Sequence, residues 1–306
     1  MSRVHDALRR AEEAGGILPD PMPANGEGNY HVYGKGDLGV LPTPTAATRL
    51  NLQPSLLADV EVIPFNPAPE SHLLDLAKSH ETPAEEFRTL RTRLNHLQTL
   101  QPLHTVIMTS PSPAEGKTFT AVNLALAQAH LAESQVLLGD FDLRRPIVHN
   151  LFQLDRAPGF SDFMLGQCTF AQALRKLEGT NLYILPAGTP VKNPLELLNM
   201  RQTKLLFADL PHLFHWAIFD TPPLLFSADA NLLGTLTDGT ILVVRIGSTT
   251  IDTVHRAMQS LCENNVLGIV VNGARAGELY SKYTYYYSKH GYAENEPETG
   301  ESEGAA

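Results

Sequence analysis

Between about position 105 and position 272, apolar residues gather into short continuous runs, each closed by a polar or turn-forming residue. Thr105-Val-Ile-Met-Thr109, Val136 to Gly139, Leu182-Tyr-Ile-Leu-Pro186, Ala217-Ile-Phe219, Thr240-Ile-Leu-Val-Val-Arg245 and Leu267-Gly-Ile-Val-Val-Asn272 have the length and β-branched content of strands. They are apolar throughout rather than alternating. That predicts an α/β fold: a mostly parallel sheet buried on both faces, helices on either side, and right-handed crossovers. Val122, Leu124, Ala125 and Leu126 predict a helix from Phe119 to about Ala132 between the first two strands. A further helix is predicted from Thr82-Pro83, where proline suits the first turn and Glu85 and Glu86 suit the positive helix end. Phe87, Leu90, Leu94 and Leu97 form its apolar stripe.

Upstream the pattern changes. Residues 1–14 predict a short amphipathic helix that Ser2 can cap, with Val4, Ala7, Leu8 and Ala11 at helical spacing. Residues 15–70, rich in Pro, Gly and Asn, predict a linker, and residues 71–276 the folded domain. After Asn272 the apolar runs stop. Residues 277–306 predict a flexible tail holding Tyr280, Tyr283, Tyr285, Tyr286, Tyr287 and Tyr292, six of the chain's nine tyrosines, then an acidic run from Glu294 to Glu303.

The net charge of -10 gives no basic footprint for nucleic acid, which is therefore not an expected partner. Cys168 and Cys262 are far apart and flanked by no metal-ligand spacing, so they read as reduced thiols. No apolar run approaches the ~20 residues that span a bilayer, and the polar N-terminus does not resemble a signal peptide. A soluble cytoplasmic chain is expected.

Three segments carry the chemistry. Pro111-Ser-Pro-Ala-Glu-Gly-Lys-Thr118 follows the first strand and opens a helix, the setting in which backbone N–H groups and the helix dipole cradle phosphate. Pro111 and Pro113 lack N–H groups, which leaves Ala114, Glu115, Gly116, Lys117, Thr118 and Phe119 as the candidate nucleotide contacts. Lys117 suits the β- and γ-phosphates, and the Thr118 hydroxyl suits Mg²⁺. Asp140 and Asp142 end the second strand in Gly-Asp-Phe-Asp-Leu-Arg-Arg145; residues two apart on a strand point the same way, so both carboxylates can face one Mg²⁺ and its water shell. Asp220 closes Trp216-Ala-Ile-Phe and precedes Thr221-Pro222-Pro223, a further carboxylate at the carboxyl edge where open α/β sheets hold ligands.

Together these segments resemble the bacterial tyrosine kinases of capsule and exopolysaccharide synthesis, over about Thr82 to Tyr292. The resemblance implies a P-loop NTPase fold that uses ATP and Mg²⁺ and transfers phosphate to tyrosine. It implies Asp140 as the base and Asp142 as magnesium support, or the reverse, with Asp220 as the further magnesium carboxylate. Arg144 and Arg145 then stabilise phosphate charge or pair with a neighbouring subunit. Asn272 reads adenine or simply forms a turn, Asp229 caps or orients a helix, and Asn193 to Leu198 opens another. The tyrosine cluster becomes the autophosphorylation site. Glu85, Arg88 and Arg91, on one helical face, become subunit contacts in a ring. A separate transmembrane polysaccharide co-polymerase as activator, a tyrosine phosphatase, and a place at the inner face of the plasma membrane complete the expectation.

Two departures matter. Ala114 stands where the family usually has Gly, and Pro111 where the general phosphate-loop pattern has Gly. Ser112 stands where the related partitioning and septum-placement ATPases carry a second lysine. The competing expectations are a nucleotide-switch ATPase organising a membrane assembly without kinase activity, and a scaffold whose tail only binds.

Overall fold

The computed structural model describes residues 50, 52–67, 71, 73, 82–261 and 266–274. The predicted N-terminal helix, most of the linker, Cys262 and the tyrosine-rich tail lie outside the described residues.

Eight strands make one sheet among the described residues: β1 (Glu61–Ile63), β2 (Thr105–Thr109), β3 (Val136–Asp140), β4 (Arg175–Leu177), β5 (Leu182–Leu185), β6 (Trp216–Asp220), β7 (Gly239–Arg245) and β8 (Val266–Asn272). Their order is β1-β4-β5-β3-β6-β2-β7-β8. Neighbours pair in parallel except β4 with β5. Strands β2, β3 and β6 are buried at every position, as their apolar runs require.

The pleat divides each inner strand between two cores. Val106, Met108, Val136, Leu138, Ile184 and Ile218 pack on one face, under the helices Thr82–Leu100 and Lys117–Ala129. Ile107, Leu137, Leu185, Ala217 and Phe219 pack on the other, with Leu206, Phe207 and Leu210 of the helix Arg201–Leu213. Gly139 lies where this second core is tightest: a Cβ there would sit 2.8 Å from the rings of both Phe141 and Phe219. Phe141 also stacks on Phe160 and Phe207, with ring centroids 4.5 and 5.4 Å away. This aromatic knot fixes the strand end from which Asp140 and Asp142 project.

The structure adds two strands to the six expected. β1 pairs with β4, so the sheet takes in residues upstream of 71 that the sequence pattern assigned to the linker. A short 3-10 helix, Pro54–Asp59, precedes β1. The phosphate-loop helix begins at Lys117, two residues earlier than its apolar stripe suggests, and ends at Ala129. No described helix is long and apolar enough to cross a membrane.

Candidate nucleotide and phosphotransfer site

The loop after β2 turns on two residues in the left-handed region, Ala114 (φ 63°) and Gly116 (φ 94°). A side chain with a Cβ costs ~1 kcal/mol in that region, so Ala114 carries strain where the resembling family has glycine. Gly116 has a second reason to be glycine: a Cβ there would fall 1.8 Å from Asn272 Nδ2. Glu115 is 2% exposed; its carboxylate accepts the Ser112 N–H (3.0 Å) and the Thr249 hydroxyl (2.5 Å). Arg245 donates to the Ala114 carbonyl (3.2 Å), and the Asn272 amide donates to the Glu115 carbonyl (3.0 Å).

At the helix start, the Lys117 ammonium lies 3.1 Å from Asp142 Oδ2 and 3.5 Å from Asp220 Oδ1. The Thr118 hydroxyl donates to Asp220 Oδ2 at 2.6 Å. Asp140 and Asp220 are register partners on β3 and β6, so the sheet itself sets them side by side. Asp140 Oδ2 accepts the Val148 N–H (2.9 Å), and Asp142 Oδ1 accepts the Arg145 N–H (3.1 Å). Asp140 Oδ1 and Asp220 Oδ1 are buried without a hydrogen-bond donor. Lys117 approaches Asp220 Oδ1 as an ion pair at 3.5 Å.

The charges respond to this crowding. Burial, with the field of Asp220 added, pushes the Asp140 carboxyl well above its ordinary value. Burial likewise pushes Asp220 up to about 6, against the pull of Lys117 and the Thr118 hydroxyl. Burial disfavours the Lys117 ammonium, yet Asp220, Asp142 and Asp140 outweigh it and hold the ammonium above its usual value. The undonated Asp220 Oδ1, with the Thr118 hydroxyl and the Asp142 carboxylate beside it, fits a hard, oxygen-seeking cation. Among the described residues, no three acidic, His or Cys side chains form a ready-made cage; Mg²⁺ needs none, since it keeps water and phosphate oxygens around it.

Other expected site residues have different occupations. Arg144 forms a two-pronged pair with the buried Asp229 (2.7 and 3.1 Å), which fastens the loop after β3 to the helix Ala228–Leu236. Ser227, rather than Asp229, caps that helix. Asn272 donates from Nδ2 to the Glu115 carbonyl and accepts at Oδ1 from the Gly273 N–H (2.8 Å), so its amide ties the last strand to the phosphate loop. Phe119 packs against the first core and edge-on to Phe87. Arg88 pairs with Glu85 on the same helix. Arg91 donates to the Ala127 carbonyl (2.9 Å), near the C-terminal end of the phosphate-loop helix. The six tail tyrosines lie outside the described residues. Thr249 and Arg245 were not among the expected site residues, because only the fold brings them to a loop some 130 residues upstream.

A phosphate loop at a helix N-terminus, facing carboxylates at the carboxyl ends of two neighbouring parallel strands, defines a nucleotide-binding P-loop NTPase. No family model matches the chain. Individual relatives do. The chain is 36% identical over 208 residues to the tyrosine-protein kinase YwqD of Bacillus subtilis, covering 67% of this chain and 87% of that one. It is 31% identical over 223 residues to the tyrosine-protein kinase Wzc of Salmonella typhimurium, but spans only 30% of that longer protein. Among solved structures, the kinase domain of the Escherichia coli tyrosine kinase Etk superposes with a TM-score of 0.60 at 27% identity, over 73% of this chain and 94% of that one. The chimerical protein CapA2B2 gives 0.62 at 27% identity, over 69% and 92%. The chain belongs to the bacterial tyrosine-protein kinases.

Proposed function

We propose that this protein is an ATP-dependent protein-tyrosine autokinase of exopolysaccharide or capsule synthesis, with the tyrosine cluster of a neighbouring copy as its substrate. The observation that carries the proposal is the Lys117 ammonium held among Asp140, Asp142 and Asp220 at the mouth of a phosphate loop. Lys117 moves from these carboxylates to the β- and γ-phosphates when nucleotide enters. Thr118, Asp142 and Asp220 would hold Mg²⁺, which would supply positive charge against the transferring phosphoryl group. Asp140 takes the tyrosine proton through its undonated Oδ1; burial and the neighbouring Asp220 raise its carboxyl and make it a stronger base than an exposed aspartate. Arg144 orders the loop carrying Asp142 through its pair with Asp229, and so acts on the site by positioning.

The helix bearing Glu85, Arg88 and Arg91 supplies the contact between copies in a ring. Phosphate on the tail adds roughly -1.5 to -2 charges per tyrosine beside an acidic terminus, and the repulsion loosens that ring. A separate transmembrane co-polymerase activates the kinase at the inner membrane face, and a tyrosine phosphatase resets it. The match to the tyrosine-protein kinase YwqD over most of that relative's length supports the kinase reading.

The test is purified protein with labelled ATP, followed by mapping of the modified residues. Lys117→Met should abolish phosphotyrosine while leaving the fold intact, and Asp140→Asn should lose transfer but retain nucleotide. Undiminished phosphotyrosine in Lys117→Met would overturn the assignment.

A further inference from the structure

A buried carboxylate inside a loop built to receive phosphate is electrostatically awkward. Glu115 is that group. Its two oxygens take one N–H from the loop itself, at Ser112, and one hydroxyl from outside it, at Thr249. Thr249 is in turn locked. Its hydroxyl accepts the Arg245 N–H (2.9 Å), and its own N–H donates to the Arg245 carbonyl (3.0 Å). The tight turn after β7, with Gly247 at φ 74°, therefore presents one hydroxyl to Glu115 at a fixed place.

We infer that Thr249 is a positioning residue for nucleotide binding: its hydroxyl satisfies the Glu115 carboxylate so that the loop's remaining N–H groups stay available to phosphate. Without that hydroxyl, a buried anionic oxygen lacks a donor, a costly state. A replacement donor drawn from the loop would be one of the backbone N–H groups that the phosphates need. The freed carboxylate would compete for them and repel the incoming charge. The inference rests on the nucleotide-binding reading above and adds a residue from a strand end that the phosphate-loop motif does not include.

The experiment is calorimetric titration of the full chain with ADP and Mg²⁺, which avoids turnover. Thr249→Val should weaken binding about tenfold or more, the scale of one charge-assisted hydrogen bond diverted from phosphate to the carboxylate. Thr249→Ser keeps the hydroxyl and should bind as the wild type does. Glu115→Gln combined with Thr249→Val should recover most of the loss, because the competing charge is gone. Loss without recovery in the double variant would mean that Thr249 acts only as structural support, and unchanged binding by Thr249→Val would remove any role; either overturns the inference. Should Thr249→Val not fold, Thr249→Ala carries the same comparison. Wild-type protein that fails to take up ADP would overturn the nucleotide reading instead.

Discussion

Replacing Asp220 by Asn should make the nucleotide-free protein more stable while it destroys the kinase. Asp220 is completely buried, and its pKa rises from 3.8 to about 6. At about 1.36 kcal/mol for each pH unit, folding with Asp220 ionised costs up to about 3 kcal/mol. The sign follows from the order of the two values. Below the unfolded value both states are protonated and no cost exists. Between the two values folding takes up a proton, and stability falls as pH rises. Above about 6 the cost is complete and constant. Asn has the shape of the neutral acid and escapes it, although the Thr118 hydroxyl and Lys117 each lose an anionic partner. Urea unfolding in the presence of a chelator should show Asp220→Asn ahead of wild type by about 1–3 kcal/mol at pH 7.5, with the gap shrinking by about 2 kcal/mol at pH 4.5. Phosphotyrosine formation by the same variant should be lost. A variant less stable than wild type at pH 7.5, or a gap that ignores pH, would refute the reasoning that burial dominates Asp220.

Gly116→Ala should abolish nucleotide binding, and adding Asn272→Gly should restore it only in part, because the backbone at φ 94° still resists a Cβ. Arg91→Ala should lower stability by about 1 kcal/mol in denaturant titration through loss of its bond to the Ala127 carbonyl. Changing Glu85, Arg88 and Arg91 together to Ala should also leave a monomer by light scattering at concentrations where the unphosphorylated parent assembles. When Lys117→Met protein is mixed with a chain ending at Gly277, phosphate should appear on the Lys117→Met chain. No transfer in that mixture, alongside a concentration-independent rate in wild type, would place the reaction within one copy.

The central sheet was legible in the sequence because β2, β3 and β6 are apolar at nearly every position, and a run of that kind fits few other environments. β1 and β4 were not. Glu61-Val-Ile and Arg175-Lys-Leu are three residues long, sit at or beside the sheet edge, and carry charge because that edge meets water; Arg175 and Glu61 pair across it at 3.2 Å. The same contrast divides the site. Lys117, Thr118, Asp140, Asp142 and Asp220 could be read because each sits at a fixed offset from a strand or helix end. The bonds that Arg245, Thr249 and Asn272 make to the loop have no such offset, since they join segments separated by more than 130 residues. The pair that Arg144 makes with Asp229 was equally hidden, since its partner lies 85 residues away.

The chain has one tryptophan, and its position gives the protein a built-in optical probe. Trp216 begins β6, four residues before Asp220, and its indole N–H donates to Asn95 Oδ1 at 3.0 Å. Gln128 donates to the same oxygen at 2.9 Å. One amide thus joins the helix carrying Glu85, Arg88 and Arg91 to the last turn of the helix that Lys117 begins, and the indole sits at the joint. Emission from a ring that is 2% exposed responds to small changes in its surroundings. Fluorescence from the unlabelled chain therefore reports on the junction between the helix Thr82–Leu100 and the central sheet, with no other indole to obscure it.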